Sequence, residues 1–553
     1  MNDIRRTILW VVFGFSMVML WDQWQIHQGK KPTFFPSAVP APVAISNAPA
    51  NTSAVPAQAA VETPATPNTK TDTSNTAAVK LIDVSTDVLK LQFSSEGGSL
   101  VRAELIQHED VHHPGSNVVL MDNSKERVYL AQTGLIGSAV ATAWPTHKTP
   151  MVFSGQTKLN ESDKQIQLKF ETPAVGDIKL IKTYTLTRGS YAIEVTHQIV
   201  NLSSAPVAPQ LYVQLVRDGN KPEGESSFYS TFTGPAVFTA QKKYQKIEFS
   251  DIEKNKADFE KDSNQGYVAM VQHYFASAWL MDDTQQRNLF ARKIDNNLYA
   301  VGMVVPLAAI ASNTQLTHTT RLFVGPQEEK ILESLYPGLE LVKDYGWLTI
   351  LSKPLYWLLY ELYRFIGNWG WAIVALVVIL KIAFYWLNSQ AYKSMGKMKA
   401  INPKIMEMRE RLKDNPQQMQ MEMMKIYREE KVNPLGGCLP IAVQIPFFIA
   451  LYWVLLSSVE MRNAPWVGWV HDLAAPDPWF ILPLLMTATS MFQTWLNPTP
   501  PDPIQAKMMW FMPLAFSVMF FFFPAGLVLY WLSNNILSIA QQWMINKQLG
   551  VMK

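Results

Sequence analysis

The sequence predicts a multi-domain membrane protein: an all-β sandwich held outside the membrane, an α-helical membrane bundle giving six transmembrane helices in total, and a cytoplasmic helical hairpin. Three observations lead there. A short apolar run behind two arginines opens the chain. Residues 81–340 alternate apolar and polar with period two between turn residues. Residues 345–548 are dense in Trp, Phe, Met, Leu and Ile, in runs near the length a bilayer requires. The averages over 553 residues, 48% hydrophobic and 17% charged, conceal this partition.

Arg5 and Arg6 precede the apolar run Ile8–Leu20, which Trp10, Trp21 and Trp24 flank. Basic residues on that side keep the N-terminus in the cytoplasm. A cleaved signal peptide is the competing reading, but Trp21-Asp22-Gln23-Trp24 stands where small residues would be cut. Residues 1–27 therefore read as an uncleaved signal anchor. Residues 28–80, rich in Pro, Ala and Thr, bury too little apolar surface to fold and read as a disordered linker.

The exported domain, 81–340, reads as β-structure. Leu89-Lys90-Leu91-Gln92-Phe93 alternates before the turn Gly97-Gly98, and Lys179–Leu186 turns through Arg188-Gly189-Ser190 into Tyr191–His197. Many strands between turns predict a sandwich. The lone strand histidine His197 reads as a surface or satisfied residue. No phosphate loop, zinc-protease helix or nucleophile elbow is present. The one cysteine, Cys438, excludes an intramolecular disulfide and lacks the neighbours of a metal site. A net charge of +3 gives no reason to expect specificity for nucleic acid. No catalytic, metal or cofactor site is expected, and the domain reads as binding or scaffolding.

Residues 341–366 mix Trp, Leu and Tyr with Lys353, Glu361 and Arg364, the pattern of an amphipathic helix lying in the interface. Five spans are expected in the core, 367–548: Trp369–Leu387, Leu439–Val459, Trp479–Leu496, Met508–Phe523 and Ala525–Ile545. The last two, divided by Pro524 alone, form a tight hairpin. The many Lys and Arg of residues 391–431 place that segment in the cytoplasm, and the acidic 459–478 loop belongs outside. Both termini then lie in the cytoplasm. Within 391–433, Met398, Ile401, Ile405, Met408 and Leu412 recur at steps of three and four, and Met419, Met423 and Ile426 continue the rhythm after Asp414-Asn415-Pro416. This is a helical hairpin with a coiled-coil seam. Met398, Met408, Met419 and Met423 either pack that seam or offer an adaptable docking surface for apolar segments.

Polar residues inside membrane spans are costly. Lys381, Gln444, Ser490, Gln493, Thr494, Asn534, Asn535 and Ser538 all fall in the cytoplasmic halves of their spans, whereas Phe520–Phe523 fill the outer end of theirs. Scattered helix–helix hydrogen bonds are the alternative, but they need not all sort to one side. A wet cavity open to the cytoplasm accounts for the sorting, and Lys381, Gln444, Gln493, Asn534, Asn535, Tyr530 and Trp531 are its candidate lining. Snorkelling of Lys381 to the interface is the alternative for that residue. A small-molecule or peptide transporter with a cytoplasm-facing cavity is the rival class, although no inverted repeat or broken helix pair is visible.

At Asn368-Trp369-Gly370, at Glu430–Cys438 (EKVNPLGGC) and at Phe523–Tyr530 (FPAGLVLY) the chain resembles the YidC family of membrane protein insertases. The layout matches over essentially the whole length, and the long exported domain looks like the Gram-negative branch, whose periplasmic sandwich is of the sugar-mutarotase type. The resemblance implies an inner-membrane insertase that needs no nucleotide or other cofactor. It would receive hydrophobic segments of nascent membrane proteins in a hydrophilic groove and release them sideways into membrane lipids. The implied partners are the Sec translocon and, possible by the same route, the ribosome or signal-recognition pathway components. The family usually has arginine where Lys381 stands; lysine keeps the charge and loses the bidentate fork. The chain ends Gly550-Val551-Met552-Lys553, without the long basic tail some relatives use on ribosomes, so the hairpin is the better docking candidate.

Overall fold

The computed structural model describes residues 79–548 apart from 112, 114, 138–142, 223–230, 282–284, 413–414, 431–438 and 498–502. The expected anchor (1–27) and nearly all of the linker (28–80) lie outside the described residues, as does most of the EKVNPLGGC segment. The rest forms two compact units.

The first unit is the sandwich, two nine-stranded sheets in which every neighbouring pair is antiparallel. One sheet runs Leu81–Ser85, Leu89–Ser94, Ser99–Glu109, Asn117–Asn123, Val128–Gly137, then Pro209–Asp218, Leu298–Pro306, Arg287–Asp295 and Asp262–Ser263. The other runs Lys243–Lys246, Gly234–Thr239, Gly266–Val271, Phe275–Leu280, Gln315–Pro326, Ala192–Asn201, Ile178–Thr187, Gln165–Glu171 and Val152–Gly155. The period-two alternation seen in the sequence buries one face: Leu89, Leu91 and Phe93 point inward from one strand, Leu180, Tyr184 and Leu186 from another. Phe93 and Tyr184 meet at 4.8 Å, and the Tyr184 hydroxyl donates to Gly98 O at 2.6 Å.

This unit also takes in residues to Tyr356 and residues 450–464, beyond the boundary expected at 340. Specific bonds explain the extension. The fully buried Lys343 ammonium sits 3.2 Å from both carboxylate oxygens of Glu460 and 4.0 Å over the Tyr356 ring. The Tyr356 hydroxyl donates to the same carboxylate at 2.5 Å. His273 Nε2 donates to Leu456 O at 2.9 Å, and Arg462 donates to Glu109 O at 3.0 Å while covering the Phe275 ring.

The helices that follow are α1 (Thr349–Ile366), α2 (Trp369–Ala383), α3 (Tyr385–Arg411), α4 (Pro416–Glu429), α5 (Leu439–Ser457), α6 (Ile481–Leu496), α7 (Pro503–Phe520) and α8 (Ala525–Gln548). The C-terminal part of α5, from 450 on, belongs to the first unit; α2–α4, α6–α8 and the rest of α5 lie in the second, with α1 from Trp357 on. The Asn-Trp-Gly motif has a local reason. Gly367, at φ +76, ends α1, and the Asn368 carboxamide then caps α2 by accepting from Trp371 N at 3.1 Å. Trp369 stacks on Tyr363 at 4.0 Å. Gly370 lies so close to Trp466 that a Cβ there would stand 2.2 Å from the indole.

One expectation needs correction. The second span was expected to continue to Leu387, but α2 stops at Ala383, and the chain bends by 69° before running on as the first arm of the hairpin. Asn388 and the two ring-bearing residues Tyr385 and Trp386 therefore belong to that arm. The other helices lie near the expected spans, with 19 residues in α5, 16 in α6, 18 in α7 and 24 in α8, although among the described residues no single helix is long and apolar enough to cross a membrane. α8 has the length, but its second half carries Asn534, Asn535, Gln541 and Gln542. The α7–α8 turn at Pro524 forms as expected, pinned by Ala525 N to Ala475 O at 2.7 Å and Gly526 N to Leu473 O at 2.8 Å.

Candidate functional site

Inside the second unit, α2, the bend at Phe384, α5 and α8 border a half-open cavity of about 30 Å³. Residues spaced by three and four turn one helical face toward it: Val377, Leu380 and Lys381 with Phe384 at the bend, Gln444, Phe447 and Phe448 on α5, Tyr530 and Asn534 on α8. Phe384 and Phe447 meet edge to face at 5.0 Å, and Phe448 lies 6.0 Å from Tyr530. The walls are aromatic and aliphatic; the polar groups are one amine, two amides and a phenol.

Lys381 is half-buried. Its ammonium donates to Ser538 Oγ at 2.6 Å, and Ser538 in turn donates to Asn534 O at 2.7 Å. Among the described residues no carboxylate pairs with this lysine. Gln444 Nε2 donates to Asn388 Oδ1 at 2.7 Å, which joins α5 to the first turn after the bend. Asn535 Nδ2 donates to Ser490 Oγ at 2.8 Å, and Gln542 Nε2 donates to Asn497 Oδ1 at 2.9 Å, joining α8 to α6.

Of the seven residues expected to line a cavity, Lys381, Gln444, Tyr530 and Asn534 do so. Asn535 faces α6 through Ser490. Gln493 is half-buried on α6 and is not part of the lining, because Ser490, one turn earlier, takes the position facing α8. Trp531 turns away as well: its ring packs edge-on against Phe520 at 4.3 Å. The helical step of 100° separates Trp531 from Tyr530, so both could not share one wall. The sequence reading missed Asn388, Gln541 and Gln542, all buried. The signal was present as polar residues in an apolar context, but Asn388 follows directly on the misjudged end of the second span.

The hairpin seam forms as patterned. Ile401, Ile405 and Met408 are its buried centre, with Met398, Leu412, Met419, Met423 and Ile426 packed around them. The four methionines named as a docking surface are thus occupied inside the hairpin. The exposed ones are Met406 (51%), Met421 (68%) and Met424 (57%), and the last two share a shallow surface with Lys425 and Arg428.

In the sandwich, His197 is fully buried, with Nε2 3.0 Å from Thr133 Oγ1. Burial pushes its pKa well below the usual histidine range, and Lys182 and His318 add to this. Lys182 lies opposite it on the neighbouring strand, donates to Gly97 O at 2.6 Å and Thr133 O at 2.7 Å, and is held down to about 7 by burial. Both groups are enclosed in the domain, and His197 Nδ1 has no partner among the described residues.

The comparisons with known proteins decide the family. The family model described as YidC periplasmic domain matches residues 81–358, and the one described as 60Kd inner membrane protein matches residues 361–551. A membrane protein insertase YidC from Ralstonia nicotianae is 52% identical over 566 residues, spanning 100% of this chain and 99% of the relative. That from Burkholderia cenocepacia strain HI2424 is 51% identical over 558 residues, with the same coverage. The chain belongs to the YidC family of membrane protein insertases. A crystal structure described as an active YidC insertase with its first transmembrane domain resolved aligns at 19% identity and a TM-score of 0.38, over 84% of this chain and 93% of that one; a score that low adds nothing to the sequence relationship. Membership makes the protein a non-enzymatic insertase and chaperone of the inner membrane, with nascent membrane proteins as substrates. The transporter alternative finds no support, since the full-length relatives are insertases.

Proposed function

We propose that the cavity receives an apolar segment of a nascent membrane protein from the cytoplasmic side and releases it sideways into lipid. The observation that carries this reading is Lys381: a cation in an apolar bundle, facing a cavity, with a hydroxyl partner and no counterion among the described residues. Such a charge attracts the acidic or carbonyl-rich polar tail that a substrate must carry across, and the aromatic walls accept its apolar part. Burial of the segment in lipid supplies the driving force, about 25 cal/mol per Å² of apolar surface.

In this reading the basic hairpin lies in the cytoplasm, the sandwich in the periplasm and both termini in the cytoplasm, following the positive-inside asymmetry. The aromatic cluster of Phe520, Phe523 and Trp531 closes the outer end. The hairpin, through Met421, Met424, Lys425 and Arg428, is the docking face for the ribosome or signal-recognition components, and the Sec translocon is a lateral partner.

The test varies Lys381 in proteoliposomes loaded with the purified chain. Lys381→Arg retains insertion. Lys381→Glu lowers it about ten-fold or more for a substrate with an acidic tail, since unit charges 4 Å apart are worth roughly 4 kcal/mol at an effective dielectric of 20. Lys381→Ala falls between. Equal insertion by all three variants would mean that the lysine merely snorkels.

A further inference from the structure

The amide side chains below the cavity hold hydrogen-bonding capacity that the fold does not use. Asn388 is buried, and its Oδ1 accepts from Gln444, yet its Nδ2 has no partner among the described residues. Gln541 and Gln542 on α8 are buried too, each with an Oε1 that has no partner among the described residues. Gln541 leans toward Tyr385 O at 3.5 Å, which places it one turn from Asn388 along α3. An unmade buried hydrogen bond costs about 1–3 kcal/mol, so native structures seldom leave several together. Gln542 turns toward α6 through Asn497, so the open donor of Asn388 and the open acceptor of Gln541, beside the cavity-lining Gln444, are the pair that fits a ligand bringing both kinds of group.

We propose that the Asn388–Gln444 pair is a resting latch on the lip of the cavity, and that the backbone of an entering substrate segment displaces it. The ligand is the peptide group itself. A side-chain carboxamide and a peptide unit are the same functional group, so a substrate C=O can take the Gln444 Nε2 donor, and a substrate N–H the Asn388 Oδ1 acceptor. The exchange is one hydrogen bond for another of the same kind and therefore nearly isoenergetic. It reads no side chain, which suits a site that accepts many sequences. Neutral amides matter: a carboxylate at 388 would make a charge-assisted bond of roughly twice the strength, which the substrate backbone could not match. The latch also spans the bend, since Phe384 lines the cavity and Asn388 sits one turn beyond it on the hairpin arm. Opening the latch and freeing the lip are one event.

This inference rests on the proposed insertion cycle, and the test separates the two. Cys438 is replaced by serine, leaving no native thiol, and cysteines are placed at 388 and 444 in the full chain. A short reducible bis-methanethiosulfonate bridges them in proteoliposomes, and a precursor with a single apolar span is the probe. The bridged protein should bind the precursor at the hairpin but not insert it, and reduction should restore insertion in the same sample. Two further variants move in opposite directions: Asn388→Ala raises photocrosslinking of the precursor to position 530 about five-fold, the shift one net hydrogen bond carries, and Asn388→Asp lowers it. A residue that only supports the fold would lower crosslinking in both. Insertion at the unbridged rate while bridged overturns the latch and leaves the insertase reading intact. Failure of the Cys438→Ser parent to insert, where the native chain also fails, counts against the insertion reading itself.

Discussion

Two lysines, Lys182 in the sandwich and Lys381 in the bundle, are both removed from bulk water and neither has a carboxylate partner among the bonds described for it. Lys182 spends its donors on two backbone carbonyls at 2.6 and 2.7 Å and is sealed between sheets. Lys381 gives one bond to a serine hydroxyl, stays half-exposed and borders a cavity. The first arrangement completes a core. The second leaves donors available, of the three an ammonium has, to a visitor. Among the amides, Asn201 Nδ2 in the sandwich reaches three carbonyls while Asn388 Nδ2 in the bundle reaches none among the described residues, although the sandwich also holds open amide atoms at Gln214 Oε1 and Gln272 Nε2.

If that contrast divides scaffold from machinery, the largest effect comes from deletion. Removing residues 399–431 should abolish insertion while the remaining helices still assemble, whereas removing most of 90–320 should leave insertion largely intact; complementation of a depleted strain measures both. Loss of insertion on deleting the sandwich alone would break the comparison. Next is the buried pair at the edge of the first unit. Lys343 has no exposed side-chain surface and Glu460 has 11%, so Glu460→Gln strands the ammonium and should cost about 3–5 kcal/mol, with much of it recovered in Lys343→Met/Glu460→Gln. Thermal unfolding of the detergent-solubilised chain reads both. Gly370→Val should destabilise the second unit by about 1–3 kcal/mol, because its side chain enters the Trp466 ring; a smaller effect at Trp466→Ala/Gly370→Val would tie the cost to that contact.

The smallest effect is a slope. Burial holds Lys182 near 7, against an ordinary value of 10.5. Between these two pH values the unfolded chain carries a proton that the folded domain lacks, so stability rises with pH across the window and levels off above it. Below about 7 both states are protonated and the penalty is complete. Urea unfolding followed by β-sheet circular dichroism should show this rise, and Lys182→Met should flatten it. An unchanged slope in the variant would assign the effect elsewhere, and the buried lysine would then be a poor foil for Lys381.

The sandwich was legible in the sequence because period-two patterning is a local signal: Leu89–Phe93 and Tyr191–His197 each announce one buried face. What the pattern cannot carry is sheet order, such as Val128–Gly137 pairing with Pro209–Asp218, which depends on chain closure over long separations. In the bundle, Lys381, Gln444 and Asn534 stood out as polar residues in apolar runs. The end of α2 did not, since Phe384-Tyr385-Trp386-Leu387 is as apolar as the helix before it and only the backbone at Phe384 turns aside. Gln493 and Trp531 were misplaced for a related reason. Depth along a helix can be counted from the sequence, but the angle about its axis is set by neighbours, here Ser490 against Asn535 and Phe520 against Trp531. The hairpin methionines obeyed their heptad spacing, and that spacing is itself what withdraws them from the surface.

The 69° bend makes α3 a mechanical arm with very unequal sides. At 1.5 Å per residue, Asn388 stands about 6 Å from the pivot at Phe384, while Arg411 at the far end stands about 40 Å away. Pro403 lies within this arm; where the helix turns as one body through it, motion at the tip is reduced about seven-fold by the time it reaches the latch. Jostling of the hairpin by about 2 Å moves Asn388 by a few tenths of an ångström, well inside what a hydrogen bond tolerates. Carrying the amide about 1 Å out of reach of Gln444 takes a swing of roughly 7 Å at the tip, the scale of a large ligand settling on the hairpin rather than of thermal noise. The bend thus works as a filter on force, deaf to small pushes and responsive to a bulky one.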